Sequence, residues 1–301
     1  MEKPSLLLLR LRAFWTSSIF RFDNVLPAKR HRYISCDRNF SSTTQSYWKG
    51  ISAMSKQKRL TIVDSHVHLG FYAGFNVKLS AKELVKLMNK HGIISSLVSS
   101  LPNRLTFKAV KNHPGRIYGL IWVNPHLGKK ALSLIDDAVK AGLKGIKMHP
   151  LLDTFLPDQD VVYPVVEHAI KHKLPILFHC GHPPWSLPWH FGNLADRYPD
   201  ATIILGHMGH GHIVYINGAI EVAKKHENIL LETSAMPMPS KIKEAAEVVG
   251  ADRILYGSDA PFGHPAVEIL KVKVSGLNER ELNMVLSENA VKVFKLKSTS
   301  R

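Results

Sequence analysis

Two histidines one residue apart, His66 and His68, end the run Ile62-Val63-Asp64-Ser65-His66-Val67-His68-Leu69. Side chains on a strand alternate faces, so this pair points one way. Two imidazoles aimed at one point from the end of a buried strand make half of a metal site. The plainer reading is two polar residues at a strand end, one of them structural. Four later segments bear on the choice: Lys147-Met148-His149-Pro150, Phe178-His179-Cys180, Gly206-His207-Met208-Gly209-His210 and Gly257-Ser258-Asp259-Ala260-Pro261. Each closes an otherwise apolar run with residues of ligand type. One such histidine is ordinarily a satisfied structural residue, but the same coincidence at five strand ends is not explained that way.

The elements that must carry these ends are legible as a rhythm. Short apolar, β-branched runs alternate with stretches of helical period from Leu60 onward. The runs are Thr61–Leu69, Ser95–Leu101, Ile117–Asn124, Gly145–His149, Pro175–Gly181, Thr202–Met208, Ile229–Ala235 and Ile254–Ala260. Helices are expected over Ser80–His91, Lys129–Ala141, Val161–His172, Ile213–His226, Ser240–Val249, Glu279–Leu286 and Asn289–Leu296. Ser80 three residues before Glu83 is a capping-box pattern, and Gly142 is a helix stop. Eight strands alternating with helices over residues 60–297 predict a (β/α)₈ TIM barrel, a single α/β catalytic domain. A doubly wound sheet is the rival. It calls for a glycine-rich phosphate loop after the first strand, and His-Val-His-Leu-Gly-Phe is not one. A barrel builds its active site at the C-terminal ends of its strands, where all five polar ends fall.

With these residues in place the chain resembles the amidohydrolase superfamily of metal-dependent hydrolases. His66-x-His68, His179, His207 and Asp259 match that pattern. The phrases Gly-Ile-Lys-Met-His-Pro, Gly-His-Met-Gly and Leu-Tyr-Gly-Ser-Asp-Ala-Pro-Phe, with Ser287-Glu288-Asn289-Ala290, look most like the amidohydrolase-related branch. That branch also contains nonoxidative decarboxylases such as aminocarboxymuconate semialdehyde decarboxylase. The resemblance implies that His66, His68, His179 and Asp259 bind one divalent metal ion per chain. Three imidazoles and a carboxylate suit Zn²⁺ with a water in the open position. It implies that His207 acts on the metal-bound water or the substrate, and it puts Asp259 with His207 among the catalytic residues. A binuclear site is the alternative, with Lys147 carboxylated between two ions. Lys147 and His149 share a strand face, so either can look into the site.

Weaker candidates for substrate binding are Lys147, which could orient an anionic substrate, and His149, with Arg104, a carboxylate clamp just after the second strand, and His182, Trp185 and His210 at the barrel mouth. His212 stands beside them. Asp64 is read as fixing the first strand or supporting a ligand. Cys180, by alternation, faces away from His179 into the core. The expected reaction is hydrolysis of a small-molecule C–N, ester or lactone bond. The alternative is nonoxidative decarboxylation of a small unsaturated or aromatic acid by the same ligands.

Charge separates the chain into two parts. The 301 residues carry a formal net charge of +16. Residues 1–59 hold twelve Lys and Arg against three acids, and the remainder holds 28 against 21. The first part is rich in Arg and Ser and lacks strand alternation or helical period, the composition of an organelle transit peptide. Arg30-His31-Arg32-Tyr33 resembles a mitochondrial processing site; a chloroplast leader, or initiation at Met54 with a cytosolic product, is the alternative. The lysines of the body are scattered along helices, with no zinc knuckle or aromatic RNA-binding signature, so no nucleic acid is expected as a partner. No membrane is expected either, because no apolar run reaches spanning length. The partner is then a small-molecule substrate, with a homodimer possible because relatives are often dimers. A metal-free barrel serving as a scaffold is the remaining rival. Two cysteines, Cys36 and Cys180, exclude a disulfide framework.

Overall fold

The eight apolar runs form eight parallel strands: β1 (Ile62–His68), β4 (Ile93–Ser99), β5 (Ile117–Trp122), β6 (Gly145–Met148), β7 (Ile176–His179), β8 (Ile203–Gly206), β9 (Ile229–Glu232) and β10 (Ile254–Leu255). They are hydrogen-bonded to one another in that order. The ring is completed where the chain after β10 returns to β1. Ser65 N donates to Tyr256 O, Asp259 N to His66 O and His68 N to Ala260 O, at 3.0, 2.8 and 2.7 Å. This computed structural model describes residues 60–297. The import signal read in residues 1–59 lies outside them. Among the described residues no helix is long and apolar enough to cross a membrane.

The helices are α1 (Ala81–His91), α2 (Arg104–Asn112), α3 (Lys129–Lys140), α4 (Pro150–Asp153), α5 (Tyr163–His172), α6 (Pro188–Arg197), α7 (Ile213–Lys225), α8 (Pro239–Val249), α9 (Pro265–Lys273), α10 (Glu279–Asn283) and α11 (Asn289–Val293). The expected capping box opens α1: Ser80 Oγ accepts from Glu83 N while the Glu83 carboxylate accepts from Ser80 N. Between β1 and α1, where no strand was expected, the chain forms a hairpin of β2 (Gly70–Tyr72) and β3 (Val77–Leu79). Four short helices, α2, α4, α6 and α9, were not expected.

The strand side chains divide into two cores. Val63, Leu97, Leu120, Leu177, Ile204, Leu230 and Leu255 pack together inside the barrel, floored by Ala290, Phe294 and Leu296 at and just past α11. Their neighbours along each strand, such as Val98, Ile121, Ile146 and Phe178, face the helices. This strict alternation sets what lies above the apolar floor. Two residues further on, the inward positions are Ser99, Trp122, His179, Gly206, Glu232 and Gly257, with Lys147 on β6. In β1 the register against β4 shifts between Asp64 and Val67. Such an irregularity changes the facing of the residues beyond it. It allows Val63 to join the floor while Val67 packs outward and His66 and His68, three and five residues on from Val63, turn in.

Candidate active site

Above the floor, His66 is the hub. Its Nε2 lies 3.1 Å from His68 Nε2, 3.6 Å from Asp259 Oδ1 and 2.9 Å from Lys147 Nζ, and Asp259 Oδ1 is 3.2 Å from His68 Nε2. The tautomers are set by the outer partners. His66 Nδ1 faces the Glu232 carboxylate at 2.8 Å, and His68 Nδ1 faces the Ser99 carbonyl at 3.1 Å. Both partners accept, so in the neutral rings both hydrogens sit on Nδ1. Two Nε2 lone pairs and a carboxylate oxygen then converge with no hydrogen of their own between them, and the Lys147 ammonium donates to one of them, His66 Nε2, at 2.9 Å. That arrangement is repulsive on its own and is relieved by a cation. Separations of 3.1–3.6 Å also suit atoms that share one ion at about 2.0–2.2 Å. The residues present fit a divalent metal. Outer acceptors that fix ligand tautomers are the usual support of such sites.

Glu232, which sequence reasoning missed, organises this support. It is fully buried at the end of β9. Its Oε2 accepts from His66 Nδ1 (2.8 Å), Ser234 Oγ (2.8 Å) and His207 N (3.2 Å), and its Oε1 from Ser234 N (2.6 Å). His66, His207 and Glu232 also lie close enough to share an ion. With four donors already on its carboxylate, Glu232 is a hydrogen-bond anchor instead. The signal was present in the sequence: Glu232 lies two residues beyond the inward Leu230, in phase with the other polar ends.

His179 does not join the His66–His68–Asp259 cluster in this arrangement. Its Nδ1 is 3.0 Å from His207 Nε2, its Nε2 is 2.7 Å from His182 Nδ1, and its ring stacks on His149 with centroids 4.0 Å apart. His149 stacks in turn on Trp122 at 5.6 Å. The expected four ligands are thus three in one cluster and His179 in the adjoining one, linked through His207. The centroid of His207 is 4.9 Å from that of His66. His207 Nδ1 lies 3.2 Å from the Ser234 carbonyl, so its hydrogen is there and Nε2 is free to accept. His207 and Asp259 hold left-handed backbone at φ 68° and 52°, a strained setting for residues with a Cβ.

Electrostatics are dominated by burial. Loss of water pulls His207 down to about 3 and, with Lys147 nearby, His66 well below the usual imidazole range. His149 and His179 are lowered in the same way. Burial raises Asp259, but the His68, His66 and His207 imidazoles around it outweigh that and hold the carboxyl well below its ordinary value. Burial lowers the Lys147 ammonium to about 8 against the pull of Asp259 and Glu232. Asp64, raised to about 7 by burial, accepts from Ser258 N at 2.9 Å and so ties the Asp259 loop to β1.

The cluster opens into a cavity of about 660 Å³. Lys147, His149, His182, His207, His210 and Asp259 give it polar groups, and Tyr72, Phe75, Trp122 and Phe262 give it an aromatic wall. Phe262 meets Tyr72 and Phe75 at 4.8 and 5.0 Å, so the β2–β3 hairpin covers one side of the mouth. Two sequence candidates fall elsewhere. Arg104 is exposed at the start of α2, and Trp185, half-buried, does not line the cavity. Both lie on segments whose path periodicity does not fix. His212 caps α7 through Nδ1, accepting from Val214 N. Cys180 packs in the outer core as expected.

Fold and site together define a (β/α)₈ barrel with a metal-ligand cluster at its C-terminal mouth. The chain belongs to the amidohydrolase family, which it matches over residues 90–296. A gamma-resorcylate decarboxylase from Polaromonas sp. is 32% identical over 123 residues, 34% of this chain and 37% of that protein. The matched segment therefore spans little more than a third of that relative. The 5-carboxyvanillate decarboxylase of Sphingomonas paucimobilis superposes with a TM-score of 0.63 at 17% identity, over 79% of this chain and all of the other. A dihydroxybenzoic acid decarboxylase from Polaromonas sp., solved with manganese and the inhibitor 2-nitroresorcinol, gives 0.63 at 19% identity, over 79% and 97%. At these identities the structural likeness establishes the fold.

Proposed function

We propose that this chain is a metal-dependent nonoxidative decarboxylase of a small aromatic or unsaturated carboxylic acid. The observation that carries the reading is the pairing, in one cavity, of a buried cation with an aromatic wall. Lys147 stands beside the ligand atoms, and Trp122, Tyr72, Phe75 and Phe262 line the same cavity. An acid group on a planar ring matches both features. The named activities of the relatives favour the same reaction over hydrolysis, the first expectation from sequence. A divalent ion on His66, His68 and Asp259 would supply a Lewis acid for the substrate's oxygens. Lys147 holds the substrate's negative charge, and the aromatic wall orients the ring and excludes water. When the C–C bond breaks, CO₂ leaves and the electron pair stays on the substrate carbon, which then needs one proton. That proton comes from water, and His207 and Asp259 line the cavity and are placed to relay it to the carbon. We propose Zn²⁺, one per chain, for the nitrogen-rich donor set; manganese in the purified, active protein would overturn that choice. A panel of hydroxybenzoic and related acids, scored for CO₂ release, tests the reaction. Turnover of esters, lactones or amides with incorporation of water oxygen and no CO₂ would return the assignment to hydrolysis.

A further inference from the structure

The outer helix layer holds a second set of ligand-type side chains that the reaction does not use. On α5, His168 and His172 are four residues apart, so one helical turn places both rings on one face. Their centroids are 4.8 Å apart. The packing of α3 beside α5 brings Asp136 opposite them, its Oδ1 2.8 Å from His168 Nε2 and 3.1 Å from His172 Nε2. The three ligand atoms lie within 4.8 Å of one another. None of the three residues lines the barrel cavity. The two imidazoles are 14% and 21% exposed and the carboxylate 43%. The cluster is therefore held by packing on one side and open to water on the other. His172 ends α5 and His168 lies one turn before it, so the free carbonyls of that terminus add negative potential.

A plain ion-pair reading leaves two imidazoles sharing one carboxylate oxygen. A cation uses the same three atoms without that competition. We propose that Asp136, His168 and His172 form a second divalent-metal site, separate from the barrel mouth, completed by water. Two imidazole nitrogens with one oxygen select ions such as Zn²⁺, Ni²⁺ or Cu²⁺ over Mg²⁺ or Ca²⁺. On binding, each neutral ring carries its hydrogen on Nδ1 and turns the Nε2 lone pair to the ion. The ion ties α3 to α5, the helices that follow β5 and β6, whose ends carry Trp122 and Lys147. It also bears on how metal content is read, because two equivalents per chain could come from this site and not from a binuclear barrel centre.

Zn²⁺ titration of the full chain, with its barrel site already loaded, is the test. The unaltered protein should take up one more equivalent than the His168→Gln/His172→Gln variant, while both keep equal turnover. The same number of equivalents in both would overturn the proposal. Should the double variant fold poorly, crystals of the unaltered protein grown with Zn²⁺ decide by anomalous scattering. A peak among the three side chains is expected, and peaks at the barrel mouth alone would remove the site.

Discussion

Replacing Glu232 by glutamine probes the support of the metal cluster without altering a ligand. The substitution keeps size and shape but exchanges an anionic acceptor for an amide with one acceptor and one donor. Four donors converge on this carboxylate. An amide cannot accept from all of them, so at least one buried N–H or O–H loses its partner, and His66 loses the charge on its acceptor. A hydrogen bond to a charged group contributes about 1.5–3 kcal/mol, and an unsatisfied buried donor costs about 1–3 kcal/mol. If the amide NH₂ faces Nδ1, His66 moves its hydrogen to Nε2, and the lone pair that points to His68 and Asp259 is gone. At about 1.4 kcal/mol per factor of ten, a loss of about 1.5–3 kcal/mol corresponds to roughly 10- to 100-fold weaker metal binding, the usual range for such outer partners. Chelator competition measures that affinity, and turnover at saturating metal separates a binding defect from a catalytic one. Glu232→Gln that holds the ion as tightly as the unaltered protein would refute the role given to this carboxylate.

Three further outcomes are expected from the same geometry. His207→Asn should keep near-normal metal and lose turnover by roughly 10²- to 10⁴-fold, the contribution of a proton-transfer group; metal analysis showing loss of the ion would make His207 a ligand. Gly257→Ala should lose metal affinity and cost about 1–3 kcal/mol of stability in denaturant titration, because the added Cβ would meet the Glu232 carboxylate and stand 2.7 Å from His66 Cβ; an unchanged variant would contradict the packing described. Metal-free protein should lose stability as pH falls from about 6.5 towards 3, because unfolded His207 takes up a proton that the folded site refuses until about 3. The slope approaches about 1.4 kcal/mol per pH unit for each such imidazole, and His66, His149 and His179 act in the same direction. Asp64, raised to about 7, opposes them by favouring the fold at low pH, but it is one group against four. Thermal melts between about pH 7 and 4 that show no decline would refute this.

Much of this architecture was legible because the strands state it twice. Each is an apolar β-branched run, and most end in a histidine, lysine, acid or tryptophan aimed at the mouth. The capping box at Ser80 was as plain. Other features required contacts that sequence spacing does not encode. The β2–β3 hairpin turns through Ala73–Phe75 with Asn76 in left-handed backbone, and Gly74 with Asn76 reads equally well as loop. Helix α6 contains Pro188, Trp189, His190 and Gly192, which obscure a helical pattern. Arg104 lies close in sequence to the end of β4, yet α2 carries it outward. His179 was grouped with His66 through the family resemblance, and its ring here stacks on His149 and meets His207. Glu232 could have been found, since the period of two that orders Leu230 places it inward.

The central claim is that this cavity releases CO₂ from a bound acid and returns one proton to the vacated carbon. It is met most directly by incubating the metal-loaded protein in D₂O with a panel of hydroxybenzoic acids and analysing the products by mass spectrometry. The account predicts CO₂ release, one deuterium at the carbon that held the carboxyl group, and loss of both when Asp259 is replaced by alanine. Turnover of the metal-loaded protein confined to esters, lactones or amides, with solvent oxygen in the product and no CO₂ from any acid, would contradict it.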